Sequence, residues 1–312
     1  MAKVMNSRDW GLLVSLSILW GGSFYFAEVA IRDLGPLTVV AGRVSVGALG
    51  LLAAVYAVGL RMPASLAPWR QFTTMGLLNN VLPFSLIVWG QTSIDSSLAA
   101  ILNATTPMFS VVLAHIWVSG EQMTPNRIAG VGLGIAGVAL LVGPSALSGL
   151  GDHLGGQLAV LAAACCYAVA AIYGRRLGDH PPIVSAAGQV TASAVIMMPV
   201  CLIAEAPWTA APSAETMWAI AGIGLLCTAL AYAIYFRILS SAGPTNLMLV
   251  TLLVPLSATG LGILFLGEKP GPEVFVGMAL ILAGLAAIDG RVLGLIRPSR
   301  AARSSRRRHP QE

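Results

Sequence analysis

Polar and aromatic side chains interrupt several long apolar runs near their centres, and their chemistry suggests a binding site. Most are amides, hydroxyls and aromatic rings, and a polar group withdrawn from water is costly unless it finds a partner. Such groups suit a neutral or zwitterionic solute, whose ammonium group could meet amide oxygens or ring faces. Hydrogen bonding between neighbouring helices is the alternative role. The candidate binding residues are Trp20, Asn79, Asn80, Asn103, Thr106, His115, Tyr167, Gln189, Tyr232 and Asn246.

Charged residues and prolines inside the runs are few. We expect Arg43 to have a structural role, binding carbonyls, a carboxylate or water, with a substrate carboxylate as the alternative. Glu28 is the candidate for proton coupling, because a carboxylate withdrawn from water binds a proton more readily. It lies near the end of its run, so proton antiport and facilitated export both stay open. Pro107 and Pro255 occupy corresponding places, and each removes an amide donor, which predicts kinks that help gating.

The residue patterns expected of an enzyme or a metal site are missing from the sequence. It contains no H-E-x-x-H, no paired carboxylates and no G-x-S-x-G. The four cysteines lie in apolar runs without ligand spacing and are interpreted as buried small hydrophobes. We therefore expect a protein that is not an enzyme and that uses no metal or cofactor.

The composition indicates which elements must position these residues. Of 312 residues, 56% are apolar and 10% are charged, and the mean hydropathy is +0.81. Such a chain is typical of lipid surroundings, where a spanning segment forms a helix of roughly 20 residues. Polar and Pro/Gly punctuation predicts an all-α integral membrane protein with ten helices, at 10–30, 38–60, 69–90, 95–118, 125–143, 156–174, 183–204, 216–238, 245–266 and 272–290.

The basic residues predict how these helices are oriented. With the N-terminus inside, Arg32 and Lys269 fall outside, while most other basic loop residues fall inside, as the positive-inside rule requires. We expect a multi-pass protein of the bacterial inner (plasma) membrane with both termini in the cytoplasm. The basic tail, 291–312, is interpreted as an anchor for anionic lipid and not as a nucleic-acid site. The expected partners are a small-molecule substrate and membrane lipid, and the chain is expected to be a monomer.

Two short polar hinges, GEQMTP at Gly120 and GEKPGP at Gly267, mark an internal repeat. A shift of 147 positions aligns them and nine identical residues between Gly120 and Gly143. The predicted domains are a first five-helix repeat (1–145), a linker (146–155), a second five-helix repeat (156–290) and the tail. Because five spans reverse the chain direction, the halves must be inverted, which is typical of secondary transporters with a central cavity and alternating access. Inversion places Glu121 and Glu268 on opposite sides, so both are interpreted as structural turn or capping groups.

The glycine-rich segments of the repeat also carry a prediction. Gly130, Gly132, Gly134 and Gly137 in one half, and Gly277 and Gly284 in the other, allow helices to approach closely. We expect this packing to occur within each half.

Several motifs resemble the drug/metabolite transporter superfamily, EamA type. They are ILWGGSF (18–24) with Pro36 and Arg43, ATTPMF (104–109), the two GE hinges, and LLCTALAYAIYFRILSSAGP (225–244). The resemblance implies ten helices, a central cavity lined mainly by the third, fourth, eighth and ninth, and export of small metabolites. Amino-acid exporters are among its branches. The family often has Glu just before the second-half proline, where this chain has Val254.

The sequence thus predicts a secondary transporter that exports small metabolites, above all aromatic or other neutral amino acids. Drugs or cations, sugars and nucleotide-sugars are the alternative cargoes, and a channel or a membrane enzyme is a more distant alternative. A phosphate-bearing cargo needs several cavity Lys or Arg residues, and Arg43 is the one basic residue clearly inside a span and away from its ends.

Overall fold

Long apolar helices dominate the structure, a computed structural model that describes residues 5–118, 120–148, 151–174 and 180–289. Within these ranges, nine helices have the length and composition to cross a membrane, and a tenth apolar helix, Val250–Leu266, is shorter. The prediction of an all-α membrane fold with ten helices is confirmed. The helices are α1 Ser7–Ala30, α2 Pro36–Ala57, α3 Leu66–Gly90, α4 Ser96–Trp117, α5 Pro125–Ser148, α6 Gly151–Gly174, α7 Pro182–Ala204, α8 Ala214–Ala242, α9 Val250–Leu266 and α10 Pro272–Asp289.

Local sequence signals set the helix ends. Asn6 caps α1, accepting from the backbone N–H of Asp9 while the Asp9 side chain accepts from Asn6, a reciprocal capping box. Proline opens α2, α5, α7 and α10, where a missing N–H costs no intrahelical hydrogen bond. Gly267 ends α9 with φ +70°, a left-handed conformation that glycine adopts without steric cost.

The central helices are irregular at matching places in the two halves. α3 contains a π-helical turn at Leu77–Val81, and α8 contains one at Leu225–Leu230, starting 148 positions later (225 − 77). α4 is interrupted at Ala104 and Thr105, between Asn103 and the Thr106–Trp117 segment that carries Pro107 near its start. Such irregular turns often lie at functional sites, because they re-aim side chains and leave backbone groups available.

The glycine-rich helices pack across the halves, so the expectation that they pack within each half is wrong. α5 lies against α10, and a Cβ added at Gly284 would lie 2.5 Å from the carbonyl oxygen of Gly130. A Cβ at Gly137 would lie 2.9 Å from the carbonyl oxygen of Gly277. The small residues therefore let the last helix of one half contact the last helix of the other.

The helix termini gather into two ends of the bundle with different charge. Hydrogen bonds join the residues after α1, α7 and α9 to the starts of α8, α2 and α4, so these termini lie together. We call this the acidic end; it carries Asp33, Asp95, Glu205 and Glu268. The opposite, basic end carries Arg8, Arg61, Arg70, Arg127 and Arg237.

Some predicted segments lie outside the described residues. These are the tail, 291–312, and three of the basic residues that the orientation prediction places inside, Lys3, Arg175 and Arg176. The described part of the predicted linker 146–155 is helical, since it forms the end of α5 and the start of α6.

Candidate functional site

A cavity of about 630 Å³ lies between the two halves of the bundle. Its volume is in the range of small-molecule sites, and its walls combine many apolar and aromatic side chains with a few polar groups. Every helix except α5 and α10 contributes to the wall, which includes predicted residues Trp20, Asn79, Asn103, Thr106, Tyr167, Gln189, Tyr232, Pro107 and Arg43.

Asn79 is the centre of the polar part of the wall. Its Nδ2 donates to Gln189 Oε1 at 3.3 Å and lies 3.2 Å from the hydroxyl of Tyr232. These three residues come from α3, α7 and α8, so the hydrogen bonds connect the two halves. The π-helical turns of α3 and α8 carry Asn79 and its repeat counterpart Cys227, both of which line the cavity.

Aromatic rings form a second part of the wall. Trp20 of α1 lies 5.9 Å from Tyr235 of α8, centroid to centroid, and Tyr232 stacks on Phe236 at 6.0 Å. These rings give an apolar surface, and they carry hydroxyl and indole N–H groups at their edges. This part of the wall suits an apolar or aromatic side chain.

Arg43 introduces a positive charge into this wall. The residue is 8% exposed, its Nε donates to Thr228 Oγ1 at 3.3 Å, and its Cζ lies 3.5 Å from the centre of the Phe84 ring. Among the described residues, no carboxylate lies within ion-pair distance of it, and no Asp, Glu or Lys lines the cavity. We expected carbonyls, a carboxylate or water as the partners of Arg43, whereas in the structure it contacts a hydroxyl and an aromatic ring.

Several predicted site residues lie away from the cavity. Asn80 points to the other side of α3 and donates to Ser193 Oγ at 3.1 Å, while Asn246 donates to the carbonyl of Ala242 at 2.9 Å. His115 is exposed near the basic end, with Nδ1 2.9 Å from the carbonyl oxygen of Glu121.

Two further predicted residues also lie outside the wall. Pro255 is buried inside α9 beside the wall residue Val254. Glu28 is not among the wall residues, but it accepts a hydrogen bond at 3.3 Å from Gln91, which is. A polar residue near a helix centre can face either neighbour, and the sequence alone does not give the rotation of the helix.

Sequence reasoning missed Phe84 and Gln91, which the structure places in the wall. Phe84 looks like any other apolar residue of its helix. Gln91 follows the last residue of α3, yet it is 3% exposed and its Nε2 donates to the carbonyl of Phe24 at 2.9 Å. An amide directly after an apolar run was a usable signal for Gln91.

Three carboxylates close the acidic end, and we call Asp33, Glu205 and Glu268 the acidic-end latch. Each belongs to one half and accepts hydrogen bonds at a helix start in the other half. Glu205 accepts from the backbone N–H groups of Leu37 and Thr38 at 2.9 and 2.7 Å. An anion at a helix N-terminus is stabilised by the free N–H groups and by the helix dipole.

The other two members of the latch repeat this arrangement. Asp33 accepts from the backbone N–H and hydroxyl of Ser213 at 2.9 and 2.6 Å. Glu268 accepts from the backbone N–H and hydroxyl of Ser96 at 2.9 and 2.6 Å, and also from the hydroxyl of Ser97. The hydrogen bond from the Ser213 hydroxyl is the largest factor lowering the pKa of Asp33 to about 2. Burial raises the pKa of Glu268, against the hydrogen bonds from Ser96.

Contacts at the basic end are fewer in the described residues. Glu121 pairs with Arg127 at 3.2 Å within its own half, as a turn group would. Across the halves, the hydroxyl of Ser241 donates to Asp9 Oδ1 at 2.7 Å. Cavity residues near the acidic end, such as Ala27 and Ala100, are each 1% exposed, whereas Pro182 near the basic end is exposed. The cavity therefore opens toward the basic end.

An all-helical membrane bundle with a repeat and a solute-sized cavity between its halves defines the class of this protein: a polytopic membrane transporter. A family model described as the EamA-like transporter family matches residues 10–143 and 154–288. The chain belongs to the EamA-like transporter family, within the drug/metabolite transporter superfamily.

Individual relatives are also transporters by name. The chain is 24% identical to the "Uncharacterized transporter YoaV" of Bacillus subtilis (strain 168), covering 91% of this chain and 96% of that one. It is 26% identical to the "Probable terminal-alkyne amino-acid exporter" of Streptantibioticus cattleyicolor, covering 93% and 96%. It is 22% identical to the "Uncharacterized inner membrane transporter YedA" of Escherichia coli (strain K12), covering 89% and 90%. A crystal structure at 21% identity shares the fold, with a TM-score of 0.64 over 91% of this chain and 98% of the other.

Proposed function

We propose that this protein is a secondary transporter that exports amino acids, aromatic or other neutral ones, across the bacterial inner membrane. The observation that carries the proposal is the cavity between the halves, whose wall combines neutral polar groups, aromatic rings and one arginine. The positive-inside rule assigns the basic end to the cytoplasm, together with both termini. The cavity then faces the cytoplasm, from which an exporter collects its substrate.

The composition of the wall supports an amino acid over the alternative cargoes. A nucleotide-sugar or a phosphorylated sugar needs several cationic groups to bind its phosphates, and Arg43 is the only Arg or Lys in the described wall. A cationic drug would favour a carboxylate, and no described wall residue is acidic. The relative named as a probable terminal-alkyne amino-acid exporter adds support from outside the cavity.

The two ends of the bundle support alternating access. The acidic-end latch holds the halves together on one side while the other side is open, and rocking of the halves would exchange these roles. In an inverted repeat the two states are related by symmetry. In the state closed at the basic end, we expect Glu121 to take a position like that of Glu268 here.

We infer that substrate moves down its own gradient, since no described carboxylate lines the cavity to carry a proton. Glu28 lies one residue behind the wall, bonded to Gln91, and is the candidate for coupling if protons are used. Uptake into proteoliposomes without a pH gradient tests this: transport there supports facilitated export, and its absence there with transport under an imposed gradient supports antiport. Because the cavity forms within one chain, we infer that a monomer is sufficient.

A substrate screen in proteoliposomes tests the proposed function. Purified protein is reconstituted, and uptake is measured with labelled phenylalanine, leucine, a hexose and a sugar nucleotide. We expect saturable uptake of at least one neutral amino acid that an excess of unlabelled amino acid inhibits. Movement of the sugar or the nucleotide without any amino acid would refute the proposal, and a current that does not saturate would indicate a channel.

A further inference from the structure

The surroundings of Arg43 fix one side of its guanidinium group and leave the other side available. Nε donates to Thr228 Oγ1, and the Thr228 hydroxyl in turn donates to the carbonyl of Ile223 at 2.9 Å. The ring of Phe84 lies against the guanidinium plane, 3.5 Å from Cζ, where a cation is stabilised by the aromatic face. The two terminal nitrogens make no hydrogen bond to any described residue, and they belong to a side chain that lines the cavity.

A charge in this position is costly without an anion. A guanidinium group stays protonated in proteins, and one withdrawn from water in a membrane normally pairs with a carboxylate or with carbonyl groups. Arg32 and Arg127 lie nearer to water, and each still has a carboxylate within 4 Å. Arg43 is more buried than either and has no carboxylate partner among the described residues, so its guanidinium group is able to bind an anion from the cavity.

We propose that Arg43 binds the carboxylate group of the transported solute. The inference rests on the proposed function and adds that the cargo must carry a carboxylate. The two terminal nitrogens form a planar fork that matches the two oxygens of a carboxylate, which a lysine cannot reproduce. Thr228 and Phe84 are positioning residues that hold this fork toward the cavity. The α2 helix would thus supply the specificity for a carboxylate through Arg43, although most of the wall comes from other helices.

Arg43 carries one positive charge, which favours an anion with a single carboxylate. A phosphate or a dicarboxylate would bring two negative charges to one guanidinium, and the described wall contains no second Arg or Lys. The aromatic wall formed by Trp20 and Tyr235 can accept the rest of the solute. An amine of the same shape without a carboxylate would leave Arg43 unpaired, so it should be rejected.

Competition among three matched solutes tests the proposal with unmodified protein. Labelled phenylalanine uptake is measured with unlabelled phenethylamine, which lacks the carboxylate, or 3-phenylpropionate, which lacks the ammonium group. We expect 3-phenylpropionate to compete and phenethylamine not to compete at the same concentration. Equal competition by phenethylamine would overturn the assignment of Arg43.

Variants of Arg43 then test whether this residue is the source of the carboxylate requirement. In Arg43→Gln we expect the KM for phenylalanine to rise by about 10- to 100-fold, because a charge-assisted hydrogen bond is lost. Arg43→Lys should recover part of this affinity, and Arg32→Gln, which changes an exposed arginine outside the cavity, should leave KM unchanged. An unchanged KM in Arg43→Gln would overturn the inference while leaving amino-acid export intact.

A binding assay separates the possible failures. The melting temperature of wild-type protein in detergent is measured with each of the three solutes, so that no variant has to fold. Stabilisation by both carboxylates but not by the amine supports Arg43 as the anion site. If 3-phenylpropionate is transported and no amino acid is, the carboxylate site stands and the proposed function fails. Stabilisation by the amine alone contradicts both.

Discussion

Glu268→Gln is the most informative change to the acidic-end latch. The carboxylate of Glu268 accepts from the backbone N–H and hydroxyl of Ser96 at 2.9 and 2.6 Å, and glutamine keeps its shape without its charge. Losing a charged acceptor at a helix N-terminus costs about 1–2 kcal/mol. Because about 1.4 kcal/mol corresponds to a factor of ten, the population open at the acidic end should rise roughly five- to thirtyfold.

Cysteine labelling measures this population. Ala100 lines the cavity beneath the latch and is 1% exposed, so a cysteine there reacts only when the acidic end opens. The Ala100→Cys change is made in a background without the four native cysteines, and cells are treated with a membrane-impermeant maleimide. The assay is run at pH 8, because burial raises the pKa of Glu268 and the carboxylate must be ionised. We expect labelling about tenfold faster with Glu268→Gln.

The matched control is Glu273→Gln, an exposed glutamate at the same end that is not part of the latch. It should leave the labelling rate unchanged. Equal rates for wild type, Glu268→Gln and Glu205→Gln would refute the reasoning, because two of the three latch carboxylates would then contribute nothing to closure.

Three further predictions concern pH, packing and the cavity. The pKa of Asp33 is lowered to about 2 from an ordinary value near 4. Its ionised carboxylate therefore stabilises the protein fully above about pH 4, and this stabilisation is lost as the pH falls toward 2. Asp33→Asn should remove the corresponding fall in melting temperature between about pH 4 and pH 2. Gly284→Ala should destabilise the protein by about 1–3 kcal/mol in detergent unfolding, because its Cβ meets a backbone carbonyl, whereas Gly132→Ala, with nothing within 4 Å, should change stability little. Asn79→Ala should lower kcat/KM about tenfold with a small change in melting temperature, because Asn79 lines the cavity. Asn80→Ala should lower the melting temperature and change kcat/KM little, because Asn80 bonds to Ser193 outside the cavity. Matching effects of the two changes would contradict this division.

The helices were predictable because membrane insertion depends on one-dimensional patterns. An apolar run of spanning length must be helical in lipid, and a shift of 147 positions is enough to find the repeat. The interruptions inside the helices were not predictable in the same way. Nothing in the letters around Leu77–Val81 distinguishes a π-helical turn from an α-helical one, because the choice depends on packing between helices.

The kinds of side chain that line the cavity were predictable from the sequence, but which individual residues line it was less so. Asn79 and Asn80 are identical in type and adjacent, yet one faces the cavity and the other faces Ser193. Helix rotation decides between them, and it is set by contacts between segments distant in sequence. We expected Arg43 to bind carbonyls, a carboxylate or water, and that expectation did not include the Thr228 hydroxyl and the Phe84 ring as its contacts.

The hinge glutamates show how tertiary contacts separate two residues that look equivalent in sequence. Glu121 and Glu268 occupy the same repeat position, but Glu121 pairs with Arg127 in its own half and Glu268 caps a helix of the other half. The two copies of the hinge therefore make different contacts in this structure.

Counterflow in proteoliposomes tests the central claim most directly, namely that an amino acid crosses through a cavity exposed alternately to each side. Vesicles are loaded with unlabelled phenylalanine, and the initial rate of labelled phenylalanine uptake is compared with that of empty vesicles. Alternating access predicts faster, saturable uptake into loaded vesicles, because a loaded carrier returns more readily than an empty one. Uptake that is absent, or that is equally fast with and without internal phenylalanine and rises without saturation, would contradict the account.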